Sequence, residues 1–242
     1  MEHMNFALSY ILIILTLLLA RREGLGNEAE IFISSLRSAL QLMALGYLLR
    51  YLLGISDPVG VMGVVLLMVL VASVIAYERV RMRGVFMTAF LSIGGATFLT
   101  VLPLLWTGIL EPTAHQLIPF CGLIVGNSLN SVSLALDRFM GEVRNRREEI
   151  EAKVALGSSL RTAMDEAFRD SLRASLIPKI NFMKAAGLVH IPGVAVGMLM
   201  AGADPLEAVL FQVVILYSLV FAGLLGSLVM LYTNYRRVFR YL

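Results

Sequence analysis

A chain of 242 residues with 58% hydrophobic and 15% charged residues lies far from the soluble average of about 25% charged, and its mean hydropathy of +0.81 reads as an integral membrane protein. The net charge of +3 points to no nucleic acid, because in such a chain the placement of charge matters more than its sum. A single cysteine, Cys121 in an apolar segment, excludes an internal disulfide and reads as a small buried hydrophobe.

A membrane-spanning helix needs about 20 mostly apolar residues, and seven candidate segments follow one another. The first covers 4–20. Met1, Glu2 and His3 before it lack the positive region of a signal peptide, so it is expected to stay in the mature protein with its N-terminus outside. The second, 36–53, carries Arg37 and Arg50 near its ends, where both can snorkel towards an interface. Segments 58–77, 85–106, 117–136, 185–203 and 208–232 complete the set. None alternates as a strand does. The expected fold is therefore all-α: a polytopic membrane protein of about seven transmembrane helices, forming one domain over 1–242.

The basic residues test that topology. With the N-terminus outside and the C-terminus cytoplasmic, every lysine and arginine of the 20 except Arg50 falls on the inside, a strong match to the positive-inside rule.

The long cytoplasmic stretch, 142–184, is the one run of dense charge. Arg144/Glu148, Arg147/Glu151 and Glu149/Lys153 stand four apart, the spacing of neighbours on a helix. Gly157 breaks this helix, and Ser158 and Ser159 supply oxygens to cap a second. There Leu160, Met164, Phe168 and Leu172 recur every four residues, with Ala163, Ala167, Ser171 and Ser175 on the same stripe and Pro178 expected to end the helix. Such a stripe must bury against something, and a separate protein is one candidate.

Chemistry is expected in two apolar segments. In 117–136, Asn127, Asn130, Ser131 and Leu134 share one helix face, suited to hydrogen bonding between helices, to the lining of a translocation path, or to both. In 185–203, Pro192 and Gly193 invite a broken helix, the device by which some transporters build a site at membrane depth; a packing kink is the plainer alternative. His190, Met198 and Met200 lie close in sequence and offer nitrogen and sulfur to a soft or borderline metal. A phosphate-binding loop needs a Gly-Lys pair, which the chain does not contain, and zincin and nucleophile-elbow patterns are also missing. A non-enzyme that binds no cofactor of its own is expected.

These residues resemble a known family, the small membrane permeases of ABC transporters linked to bacterial iron export and related to plant aluminium-sensitivity proteins. The resemblance runs over most of the chain. It is carried by Leu36-Arg-Ser-Ala-Leu-Gln-Leu with Gly46-Tyr47, Ile118-Pro-Phe-Cys-Gly-Leu-Ile-Val-Gly-Asn-Ser, Glu151-Ala-Lys-Val-Ala-Leu-Gly, Pro178-Lys-Ile-Asn and Gly187-Leu-Val-His-Ile-Pro-Gly. It implies a permease subunit in the cytoplasmic membrane, working as a homodimer with separate ATPase subunits that use ATP, and moving metal ions, with iron export foremost. It also implies that the cytoplasmic helices act as coupling helices, with Glu151, Gly157, Leu160, Met164, Phe168 and Leu172 docking on the ATPase. The substrate path would be lined by Asn127, Asn130, Ser131, Pro192, Gly193 and Met198. After Pro192-Gly193 the family tends to continue with methionines, a threonine and a glutamine, where this chain has Val194-Ala195-Val196-Gly197-Met198. Two rivals remain. A stand-alone secondary transporter or channel would need an ionisable residue deep in a span, and no segment reads as having one; a membrane adaptor would recruit a partner and move nothing.

Overall fold

The computed structural model describes residues 2–80, 82 and 84–241, with side chains from Tyr10 onward. Met1, Leu242, and Arg81 and Arg83, two of the arginines expected in the cytoplasm, lie outside the described residues. Among the described residues ten helices form, and the only β-type pairing is an isolated bridge between Ala186 and His190. Five of the helices are long and apolar enough to cross a membrane: α2 (Glu28–Leu53), α3 (Pro58–Val80), α4 (Val85–Trp106), α5 (Ala114–Asn145) and α10 (Pro205–Tyr241).

The chain packs as two compact units, Met1–Ile55 and Ser56–Leu242. The first is a helical hairpin of α1 (Glu2–Arg22) and α2, turned through Gly24 and Gly26 at φ of 63° and 70°. Those left-handed values carry no steric cost for glycine. No residue of α2 is buried, and leucines, Phe32, Tyr47 and Tyr51 stand exposed around it. A helix that is apolar on all sides is suited to lipid.

In the second unit α5 and α10 lie along one another, with α3, α4 and α8 (Asp165–Ala185) packed around them. Gly226 makes one crossing possible. A Cβ there would stand 3.1 Å from Val132 of α5 and 3.6 Å from Ala96 of α4. At 32 and 37 residues, α5 and α10 extend about 48 and 55 Å at 1.5 Å per residue, longer than a hydrocarbon core of about 30 Å. Both therefore run past an apolar layer, and their charged ends meet α6 (Arg147–Ala155), α7 (Leu160–Ala163) and α8.

Here the structure corrects two expectations. The second helix of the charged stretch is expected to end at Pro178, but α8 continues through Pro178 to Ala185. A proline inside a helix removes one backbone bond; Pro178 itself stands exposed, while Ser175 and Lys179 beside it are buried, so packing of those neighbours carries α8 past it. The expected sixth span, 185–203, is not one helix: α8 stops, residues 186–192 form a turn, and α9 (Gly193–Met200) begins at Gly193. Gly187 at φ 82° opens the turn, and its amide bonds His190 O at 2.9 Å. The break foreseen at Pro192 and Gly193 is present, and it is longer than two residues because Gly187 starts it.

The charged corner forms as its residues dictate. Gly157 at φ 95° ends α6, with Gly157 N bonding Val154 O and Ser158 N bonding Lys153 O, a Schellman turn. Ser159 then caps α7 by accepting from Thr162 N at 3.2 Å. Of the three expected ion pairs, Arg147–Glu151 (2.8 Å) and Lys153–Glu149 (2.6 Å) form. Arg144 and Glu148 do not pair, because α5 ends at Asn145 and the helical register is interrupted between them.

Candidate functional site

The polar turn of α5 opens on a cleft of about 530 Å³ bounded by α5, α8, the start of α9 and α10. Asn127, Asn130, Ser131 and Leu134 all line it, as do Pro192 and Gly193, so the one-face spacing and the helix break, 58 or more positions apart in the chain, come to a single place. Asn127 Nδ2 donates to Leu123 O at 3.1 Å, and Ser131 Oγ to Asn127 O at 3.1 Å, which ties both side chains to the α5 backbone.

Lys179 occupies the centre of this arrangement, and sequence reasoning had counted it as a cytoplasmic loop cation. It is 9% exposed. Its Nζ donates to Ser131 Oγ and, at 3.4 Å, to Asn127 O. None of the five helices long and apolar enough to cross a membrane carries this lysine: α8 runs antiparallel to α5 beyond Pro178 and brings Lys179, buried, beside the asparagine turn. A signal was present. Phe168, Leu172, Ser175 and Lys179 continue the stripe at intervals of four, three and four, so a helix carried through the proline puts the lysine on its buried side.

Two residues of α10 complete the site. At Gly223 a Cβ would stand 2.5 Å from Lys179 Cε and 2.9 Å from Ser131 Oγ, so only glycine leaves room for the lysine head. Gln212, buried, accepts from Ala195 N at 3.3 Å through Oε1. The first amides of a helix have no partner within it, and no side chain at the N-cap, Pro192, supplies one. Gln212 therefore caps α9 from the neighbouring helix and leaves the amides of Gly193 and Val194 beside the cleft that both residues line.

The metal candidates lie elsewhere. His190, Met198 and Met200 are not in the cleft lining; His190 stacks on Phe182 with ring centroids 4.6 Å apart, its Nε2 buried and unpartnered among the described residues, and Met200 is exposed. Met198, expected on the substrate path, is half-buried on α9 outside the lining. Among the described residues no three His, Cys, Asp or Glu side chains gather as a metal would need.

The stripe expected to await a partner is filled from within the chain. Met164 and Phe168 are buried in the core, with Leu160 and Leu172 packed against it. Phe168, 2% exposed, meets Phe139 of α5 edge-on at 6.0 Å and Tyr232 of α10 at 4.7 Å, and Arg161 lies 3.9 Å over its ring. Those four residues thus offer little surface to a second protein. Glu151 and Gly157 are exposed, and Leu156 between them is 89% exposed. Arg146 pins the corner, pairing with Glu142 (3.1 Å), Glu166 (3.0 Å) and Asp170 (2.9 Å) and so joining α5 to α8. Desolvation acts to lower its pKa, but the three carboxylates outweigh it and hold the guanidinium above its ordinary value.

Comparison with known proteins places the chain among membrane proteins. The chain is 30% identical over 236 residues to the "Probable iron export permease protein FetB" of Escherichia coli K12, covering 97% of this chain and 91% of that protein. It is 31% identical over 240 residues to the "UPF0014 membrane protein YjkA" of Bacillus subtilis, covering 99% and 96%. It is 30% identical over 228 residues to the "Protein ALUMINUM SENSITIVE 3" of Arabidopsis thaliana, covering 93% and 83%. No solved structure matches. Residues 3–239 match the family described as Uncharacterised protein family (UPF0014), and the chain belongs to that family of membrane proteins.

Proposed function

We propose that this chain is the permease subunit of an ABC transporter of the cytoplasmic membrane, working as two copies with two ATPase subunits and exporting a metal, iron foremost. The observation that carries the reading is the broken span. The unit made of α8, the 186–192 turn and α9 faces α5 and α10 across a largely apolar cleft with a few polar groups in its wall, an arrangement from which alternating access is built in transporters. The metal cargo rests on the likeness to the iron export permease, whose printed name gives that role to that protein. On this reading α5 and α10 carry force from the cytoplasm to the cleft, with the N-terminus outside and the C-terminus cytoplasmic. The docking surface is the corner of Glu151, Leu156 and Gly157, because the Phe168 stripe is occupied.

The test is ATP hydrolysis by the candidate partner ATPase in proteoliposomes, with and without this chain and with Leu156→Asp. Expected is a several-fold change in hydrolysis with the chain present, abolished by Leu156→Asp while the melting temperature is unchanged. An ATPase that neither binds nor responds defeats the reading.

Lys179 favours a second reading, a secondary transporter that needs no ATPase, since it supplies the deep ionisable group such a protein requires. That reading expects flux through liposomes holding this chain alone, driven by an ion gradient; the permease reading expects none.

A further inference from the structure

The cleft carries one charged side chain, and it is a cation. Of the residues that line it, Lys179 alone is ionisable: no Asp, Glu, His or Cys is among them. The nearest groups to the lysine head are oxygens of Ser131 and Asn127, which accept from it without neutralising it. An ammonium has three donors, and two acceptors are identified. Across the cleft, α9 presents its N-terminal end, the pole of partial positive charge, with Ala195 N already taken by Gln212 and the Gly193 and Val194 residues on the lining. Two positive elements on different helices thus face a largely apolar cleft that holds no balancing carboxylate.

A bare divalent cation would meet repulsion in this cleft and find no ligand set there, since carboxylate, imidazole and thiolate are all missing from its walls. An oxyanion meets the opposite conditions: a desolvated ammonium, backbone amides at a helix start, and neighbouring side-chain amides from Asn127 and Asn130. We propose that the cleft takes its cargo by an oxyanionic group, a carboxylate or phosphate held between Lys179 and the N-terminus of α9, so that a metal crossing here does so inside an anionic chelate. That the cleft is a transport path rests on the permease reading above; the binding does not.

Binding can be measured by equilibrium dialysis on the full chain in nanodiscs with four probes: citrate, iron(III) citrate, inorganic phosphate and ferrous ion alone. The variants are Lys179→Met, Lys179→Arg and Gln212→Glu. The last keeps the acceptor for Ala195 N and adds a negative charge to the cleft, so it tests the charge argument even where Lys179→Met does not fold. At least one oxyanion probe is expected to bind the wild type, at least tenfold more weakly to Lys179→Met and Gln212→Glu, and within about threefold to Lys179→Arg; ferrous ion gains nothing from Lys179. Iron(III) citrate binding tighter than citrate identifies a chelate as the cargo, whereas equal or tighter binding of citrate or phosphate identifies a metal-free anion. The proposal is overturned if no oxyanion probe binds, if Gln212→Glu and Lys179→Met leave that binding unchanged, or if ferrous ion binds the wild type and loses affinity in Lys179→Met. No ATPase takes part, so oxyanion binding beside a silent ATPase defeats the permease reading alone, and the reverse pattern defeats only this one.

Discussion

Gly223 decides where the lysine head can sit. Its missing Cβ is the space that Lys179 and Ser131 share, and the atoms that a methyl group would strike hardest are the far end of the flexible lysine, which can withdraw, with Ser131 Oγ next at 2.9 Å. Gly223→Ala is therefore expected to leave the fold intact and to displace the ammonium, lowering oxyanion binding at least tenfold in the dialysis assay with a melting temperature within a few degrees of wild type. Gln212 acts differently. With Gln212→Leu the Ala195 amide loses its acceptor in a buried place, and an unsatisfied buried donor costs about 1–3 kcal/mol. Thermal unfolding in detergent should fall by several degrees, and amide exchange should quicken first in α9.

At the scale of elements, α8 holds two jobs in one helix. Its first half, to Leu172, is a core element packed on α5 and α10; its second half, from Ser175, is a wall of the cleft. Phe168 belongs to the first. Phe168→Ala is expected to destabilise the chain by about 3–5 kcal/mol, seen as lost expression or a lower melting temperature, and any loss of ATPase response that follows reports misfolding and says nothing of docking. Arg146 joins α5 to α8 through pairs that stand partly exposed, its side chain at 30%. Such pairs contribute roughly 1 kcal/mol or less each and weaken with salt. Arg146→Ala should lower the melting temperature by a few degrees in low salt and by less in 1 M salt, a salt dependence that a purely packing role would not produce.

For the whole molecule, the length of α5 and α10 matters more than their composition. Each joins the cleft to the charged corner without a break, so on the permease reading a displacement at α6 and α7 is expected to reach Ser131 and Gly223 as rigid-body motion. A helix-breaking insertion separates the two ends. Two glycines placed after Met140 are expected to leave probe binding at the cleft within about threefold of wild type while removing the change in ATP hydrolysis, as read in the dialysis and proteoliposome assays. Equal loss of both would show that the insertion had disrupted the fold.

Composition and hydropathy alone determined that this chain enters a membrane as helices, because an apolar layer leaves the backbone no partner outside a helix or closed barrel and no segment alternates. The start of α9, the glycine corner at 157 and the shared face of Asn127, Asn130 and Ser131 were also legible, since each rests on a local rule of torsion or spacing. What only the tertiary structure decided was the partner of each face. The stripe through Phe168 is identical in sequence whether it awaits another protein or folds onto Phe139 and Tyr232. Pro178 reads as a stop until the helix that carries it packs on α5 and α10, and Lys179 reads as a loop cation until α8 continues and Gly223 makes room. Burial is a property of what lies opposite, and in this chain what lies opposite comes from residues about thirty to sixty-five positions away.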